Sequence, residues 1–187
     1  MRAALLLVLG LAACAPLPPA APIMAAVPRQ PSPYFALAGR LAASDGERAA
    51  RGRIEWQHHH GADTWTLFSP LGQILARLDS GPDGAMLLTA SGERIPAASA
   101  EQLLPRLLGM TVPTASLSRW VQAVPTTGAE VRALDASGRP AQVLDQGWRI
   151  DYPDYLSPAA DALPKRVDIS RGDTRLRLII DTWQTSP

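Results

Sequence analysis

A single cysteine stands among 187 residues, so no disulfide can form within the chain, and the lone thiol near the N-terminus calls for another use. The sequence has no paired-cysteine or H-E-x-x-H metal motif, no glycine-rich phosphate loop and no G-x-S-x-G nucleophile turn. Its acidic residues are scattered at loop edges, and no catalytic pair stands out. No cofactor, metal or catalytic residue is therefore expected, and the chain does not read as an enzyme. Surplus charge is also missing. Without Arg2, the only charged side chain of the first thirteen residues, 17 basic groups face 17 acidic ones. That balance gives no electrostatic reason to expect nucleic acid or strongly anionic lipid as a partner, so binding is expected to be apolar.

Long apolar runs are scarce too. The one at the N-terminus, Ala3 to Leu11 behind Arg2, is about half the roughly 20 residues that span a bilayer. It reads as a secretory signal ending in Leu11-Ala12-Ala13-Cys14, which resembles the lipobox of bacterial lipoproteins. Residues 1–13 are expected to be removed and Cys14 to carry the lipid, because two or more acyl chains anchor stably where one does so marginally. In the lipoprotein sorting rule an aspartate after the cysteine favours the inner membrane. Ala15 occupies that place here and points to the outer membrane.

Residues 14–33 follow as the lipidated cysteine and a tether. Seven prolines between Ala15 and Pro33 prevent a helix or a central strand. In polyproline form, at roughly 3.1 Å per residue, the tether could hold a domain up to about 60 Å from its anchor. Residues 34–187 form one globular unit of ordinary domain size.

Within it, alternation of apolar and polar residues predicts half-buried antiparallel strands. Phe35, Leu37, Gly39 and Leu41 share a face, as do Ile54, Trp56 and His58. Trp65 and Leu67, then Ile74, Ala76 and Leu78, then Met86 to Thr89 continue the pattern. Later strands are expected at Val131 to Leu134, Ala141 to Leu144, Trp148 to Tyr152, Val167 to Ile169 and Leu176 to Ile180. Ser137-Gly138, Gln146-Gly147 and Arg171-Gly172-Asp173 read as their turns. The last tripeptide is better explained as a hairpin turn than as an adhesion signal. His58, His59 and His60 alternate faces on a strand and cannot converge on a metal there.

Between the two strand sets the period lengthens to that of a helix. Ser99 and Gln102 form a capping-box pattern, Leu103, Leu104, Leu107 and Leu108 follow, and Gly109 ends the helix, with Pro105 expected to kink or shorten it. A second helix is expected after Pro113, with Leu117, Trp120, Val121 and Val124 on one stripe. Strands, two short helices, then strands suit a mainly β, α+β fold with its helices on one side of an antiparallel sheet.

Ser69-Pro70-Leu71-Gly72-Gln73, lying between two strands, resembles the protruding loop of the LolB family, the outer-membrane receptors of the lipoprotein localisation pathway. Leu37-Ala38-Gly39-Arg40, Trp56, Ser99-Ala100-Glu101, Leu108-Gly109, Val112-Pro113, Trp120, Gln146-Gly147-Trp148-Arg149-Ile150, Tyr152, Leu163-Pro164 and the segment from Leu176 to Trp183 fall in that family's order. Two departures are Pro105 inside the first helix and Ala123 where a glycine is expected.

The resemblance implies an incomplete antiparallel β-barrel with a lid of short helices over an apolar cavity. It also implies a monomer that accepts triacylated lipoproteins from the periplasmic carrier LolA and inserts them into outer-membrane lipid without nucleotide hydrolysis. Candidates for the cavity lining are Phe35, Leu37, Trp56, Trp65, Leu67, Leu103, Leu107, Trp120 and Trp148. Without the resemblance, such a face reads more readily as plain core. Pro70, Leu71 and Gly72 are the candidate membrane-insertion loop, since a bulky apolar side chain at a loop tip either folds back or meets a membrane. Three alternatives stay open: the soluble carrier, against which Cys14 argues, a structural outer-membrane lipoprotein that aids envelope assembly, and a lipocalin-like binder of, or esterase for, another apolar compound.

Overall fold

The alternating pattern becomes eleven strands in the structure, a computed structural model that describes residues 26–186. In chain order these are β1 (Tyr34–Ser44), β2 (Ala49–His59), β3 (Ala62–Phe68), β4 (Ile74–Gly81), β5 (Gly84–Thr89) and β6 (Arg94–Ala97), then helices α1 (Ala100–Leu108) and α2 (Thr114–Trp120). Five more strands follow: β7 (Glu130–Leu134), β8 (Pro140–Asp145), β9 (Trp148–Tyr155), β10 (Pro164–Arg171) and β11 (Thr174–Gln184). Every pairing is antiparallel, and the order across the sheet is β6-β5-β4-β3-β2-β1-β11-β10-β9-β8-β7. Because β6 and β7 form the two edges and do not pair, the sheet is barrel-like but open. The helices lie in the chain between those edges. The mainly β fold with helices gathered on one side is the one expected from the order of elements.

The three central strands β1, β2 and β11 are the longest, at eleven residues each. Their inward positions carry the alternating apolar set: Phe35, Leu37, Leu41, Ile54, Trp56, Leu176, Leu178 and Ile180 are all buried. Gly39 belongs to the same inward series, and its lack of a side chain shapes the sheet. Between Ala38 and Gly39 the pairing with β11 slips by one residue, passing over Asp181. A Cβ on Gly39 would run into the carbonyl oxygen of Ile179 and lie 3.0 Å from the Cα of Ile180. Such a bulge bends the sheet and increases its twist.

A second bulge acts at the hairpin of β3 and β4. Leu67 pairs with Ala76 and Phe68 with Ile74, so Leu75 is the extra residue. The expected series Ile74, Ala76, Leu78 therefore breaks at its first member: Ala76 and Leu78 are buried, and Ile74 is turned out and 57% exposed. Strand β6 was not anticipated. It has four residues, contains Pro96, and pairs only with β5, which is where a residue without an N–H can sit in a sheet.

The segment before β1 is held to the domain. Val27 N–H donates to the Gly138 carbonyl, Arg29 Nη atoms donate to the carbonyls of Ala160, Gln122 and Ala162, and the Ser32 amide donates to Gln122 Oε1. Residues 27–33, placed in the tether on composition, thus lie along the end of α2 and the loop between β9 and β10. Residues 1–25, with the signal segment, Cys14 and most of the tether, lie outside the described residues.

A Gly39→Ala substitution is expected to destabilise the domain by about 2 kcal/mol or more, since the added methyl meets backbone and not a movable side chain. Urea unfolding reads this as a lower midpoint at an unchanged slope.

Candidate functional site

The inward face of the sheet and the two helices enclose an apolar space lined by Leu41, Ile54, Trp56, Trp65, Ile169, Leu176 and Leu178 from the strands and by Leu104, Leu107, Leu108, Leu117 and Val121 from the helices. Its volume is about 30 Å³, enough for roughly one water molecule. The hollow expected from the sequence is filled here by the lid's own side chains. Of the proposed lining residues, Trp56, Trp65 and Leu107 border this space. Phe35, Leu37, Leu103, Trp120 and Trp148 are buried around it, and Leu67 and Leu107 border a neighbouring groove. The lining residues not named beforehand lie on the same periodic faces as those that were. Leu41 follows Phe35 and Leu37 along β1, Leu104 and Leu108 lie one turn apart on α1, and Leu117 and Val121 share the stripe of Trp120.

The two helices are fastened differently. The Trp120 indole N–H donates to Asp145 Oδ2 at 2.7 Å in a buried bond, and Thr126 Oγ1 donates to the same carboxylate. Tyr152 OH donates to the Trp120 carbonyl at 2.9 Å. Burial raises the Tyr152 hydroxyl well above its usual pKa, so it stays a neutral donor. Gln146 Nε2 donates to Ser116 Oγ at 2.9 Å, and Gln122 bonds to Ser32 and to the Ser118 carbonyl. Helix α2 is pinned to β8, β9 and the N-terminal segment by directed bonds. Ala123, just beyond it, has a φ of 54°. This is the left-handed region that glycine enters freely and alanine enters at a cost of roughly 1–2 kcal/mol, which gives a physical reason for expecting glycine there.

Helix α1 has no comparable fastening. Among the described residues no side-chain hydrogen bond or ion pair joins it to the sheet. The expected capping box does not form: Ser99 makes no side-chain cap bond, and Gln102 Oε1 accepts from the amide of Ala98, one residue before the cap, at 3.3 Å. Gly109 ends the helix in the left-handed region at φ 75°. Pro105 removes one backbone donor from the middle of nine residues. What holds α1 is the burial of Leu103, Leu104 and Leu108. Along its flank runs an open groove of about 840 Å³, with Leu67, Ala76, Leu87, Ile95 and Leu107 along its apolar part and Arg48, Arg51 and Arg106 among its polar residues. Leu107 borders both this groove and the inner space, so α1 is the partition between them.

At the same end of the sheet, the loop between β3 and β4 stands out from the surface. Ser69 closes it: its amide donates to the Gln73 carbonyl at 2.8 Å, and its own carbonyl accepts from the Gly72 amide at 2.9 Å. Gly72 takes a φ of 84°, which glycine adopts without strain. Leu71 is thereby held at the tip, 89% exposed, with Ile74 and Leu75 exposed behind it. It does not fold back onto the domain.

His58 is half-buried, stacked on Phe35, and its Nδ1 lies 2.8 Å from the Asp63 oxygen that also accepts from the Trp56 indole at 2.7 Å. His59 points to the other face, and His60 enters a turn. Among the described residues no group of three or more potential ligands could hold a metal ion, and no helix is long and apolar enough to cross a membrane.

A profile of the family described as outer membrane lipoprotein LolB matches residues 33–183. This chain belongs to the LolB family. The outer-membrane lipoprotein LolB of an Azoarcus species is 58% identical over 159 residues, covering 85% of this chain and 82% of that one. Those of Thiobacillus denitrificans and Alkalilimnicola ehrlichii are 37% and 34% identical, the first over 95% of this chain and 93% of its own, the second over the full length of both. In fold, this LolB-family domain is similar to a LolA superfamily protein from Nitrosomonas europaea, with a TM-score of 0.53 at 9% identity over 85% of this chain and 89% of that one. That likeness concerns the fold alone.

The unequal fastening of the helices predicts unequal responses. Asp145→Ala leaves the Trp120 indole without its buried acceptor and is expected to cost about 2–3 kcal/mol, whereas Gln102→Ala is expected to cost roughly 0.5 kcal/mol or less. In the Asp145 variant the Trp120 indole proton should exchange faster while that of Trp56 is unchanged, as read by NMR.

Proposed function

We infer that this chain is an outer-membrane lipoprotein that receives other lipoproteins in the periplasm and places them in the outer membrane, as a receptor and not an enzyme. The observation that carries the reading is the apolar space under a helix held by leucines alone. An acyl chain of about sixteen carbons resists leaving an apolar medium by roughly 12 kcal/mol, at about 0.8 kcal/mol per methylene. Uncovering Leu103, Leu104 and Leu108 of α1 costs about 1.5–3 kcal/mol each, roughly 5–9 kcal/mol together. One acyl chain entering in place of α1 therefore offsets the opening. Directed bonds keep α2 in position as the fixed wall. Family membership and the lipobox at Cys14 support the same reading, with the domain on the periplasmic side of a lipid anchor.

The donor is the soluble carrier LolA, and transfer needs no nucleotide: acyl chains move from one apolar site to a more favourable one and last to the bilayer, each step downhill. The groove beside α1 is the entry route, since lifting α1 joins it to the interior at Leu107. Residues 1–13 are the signal removed before Cys14, and Cys14 with the residues leading to the docked segment 27–33 serves as the tether. Delivery uses the loop of Pro70, Leu71 and Gly72. A leucine at a rigid tip with no core to enter is suited to reach past the headgroups, with Ile74 behind it.

The test is transfer of a labelled lipoprotein from loaded LolA to this protein and on to liposomes. The intact chain is expected to empty the carrier and deliver the cargo. Leu71→Glu is expected to accept cargo at the normal rate and to lose delivery by on the order of tenfold or more, since a charge must then enter an apolar layer. Normal delivery by that variant would remove Leu71 from the mechanism, and failure of the intact chain to take cargo from LolA would remove the receptor reading altogether.

A further inference from the structure

We propose that the outward face of β2, β1 and β11, beside the Ser69–Gln73 loop, docks on anionic phospholipid headgroups. The inference rests on the reading of Leu71 as a lipid contact. Overall charge gives no hint of it, because the chain carries 18 basic and 17 acidic residues. Strand register is what collects the charge. Arg53 on β2 pairs with Arg40 on β1, and Arg51 and Arg177 flank Ala42 from opposite sides. Arg175 follows one step along, opposite Ser44. The small Ala42 leaves a hollow between guanidiniums, and this face holds an open concavity of about 680 Å³ bordered by Arg40, Arg51, Arg53, Arg177 and Pro70.

Elsewhere on the outer surface the outward arginines of β4, β7 and β9 are matched, while Arg94 and Arg106 stand singly and form no cluster. Arg77 lies 3.0 Å from Asp79, Arg132 2.7 Å from Glu130 and Arg149 2.8 Å from Asp151, each on its own strand. On the proposed face Arg40 pairs with Asp181, and Asp168 is shared between Arg166 and Arg177. Among the described residues no carboxylate lies within ion-pair distance of Arg51, Arg53 or Arg175. Like charges directly opposed across strands, as Arg40 and Arg53 are, disfavour the fold. Arg53 is partly accommodated over the Phe68 ring, at 5.9 Å from its centroid. Guanidinium forks match phosphate oxygens in two-point hydrogen bonds.

Position commits the face to a lipid surface. Pro70 borders the arginine hollow, so the loop that carries Leu71 rises from its edge. Arg51 also borders the groove beside α1. Apolar tip, arginine face and groove mouth thus meet at one end of the sheet. A protein with Leu71 in the apolar layer would hold the arginines within the roughly 10 Å over which an anionic surface attracts at 0.1 M salt.

The experiment uses the mature chain with Cys14→Ala, which removes the acyl anchor, and sedimentation with vesicles of phosphatidylcholine alone or mixed with phosphatidylglycerol. Binding is expected to be stronger to the mixed vesicles and to weaken as salt rises. The triple variant Arg51→Gln, Arg53→Gln, Arg175→Gln is expected to lose the phosphatidylglycerol-dependent part by on the order of tenfold or more, with thermal unfolding no lower than that of the parent. Arg77→Gln, Arg132→Gln, Arg149→Gln removes as many charges from matched sites and should leave the preference largely intact. Equal binding to both vesicle types, or equal losses in the two triple variants, would overturn the proposal. So would a triple variant that keeps its vesicle binding but takes cargo poorly from LolA, since the face would then serve an acidic protein. Leu71→Glu separates this test from the loop's own: it should weaken binding to both vesicle types while the phosphatidylglycerol preference persists.

Discussion

One contact governs the whole molecule, that of the α1 leucines with the inward face of the sheet. Hydrophobic contact has no direction and is replaced readily by any apolar group of suitable volume. A helix held by hydrogen bonds to particular acceptors would leave those acceptors unpaired on opening, whereas a helix held by leucine side chains leaves an apolar surface that an acyl chain can cover. Under the proposed function, the closed interior and an interior ready for lipid are one construction, in which the protein's own leucines hold the place that an acyl chain would take.

Two irregularities of the sheet give that construction its setting. The slip at Gly39 bends the longest strands where the wall must curve around the interior. The bulge at Leu75 turns Ile74 out beside Leu71, so an apolar tip forms at the end of a hairpin whose inward residues, Leu67 and Ala76, line the groove. The carboxylate of Asp145, bonded to Trp120 and Thr126, and the separate bond from Tyr152 OH to the Trp120 carbonyl keep the second helix as a fixed jamb. Opening one helix while the other stays is a smaller reorganisation than lifting a whole lid.

Much of this was legible in the sequence, because both main signals are local. Period-two runs around Phe35, Ile54 and Trp148 and the Leu103–Leu108 cluster fix which faces are inward, and Gly109 and Pro113 mark helix boundaries without any knowledge of partners. Leu71 could be put at a Pro-Leu-Gly tip, but local sequence left open whether its side chain folds back, and only the structure shows it standing out. Other features depended on register or on distant partners. Ile74 left its face through a one-residue slip, β6 was too short and too marked by Pro96 to stand out, and Asp145 shows its importance only once Trp120 is placed against it. The arginine face is of the same kind. Arg40, Arg51, Arg53, Arg175 and Arg177 look like ordinary outward positions on three separate strands, and pairing of chain ends brings them together.

The most direct measurement is photo-crosslinking from two adjacent residues of β11 that face opposite ways, Leu178 inside and Arg177 outside, with a lipoprotein bearing labelled acyl chains as cargo. A photoreactive group at position 178 is expected to capture the acyl label, and the same group at 177 is expected not to. Capture by 178 of nothing but the protein's own helix with cargo bound, or acyl adducts at 177 alone, would show that the lipid never enters the interior.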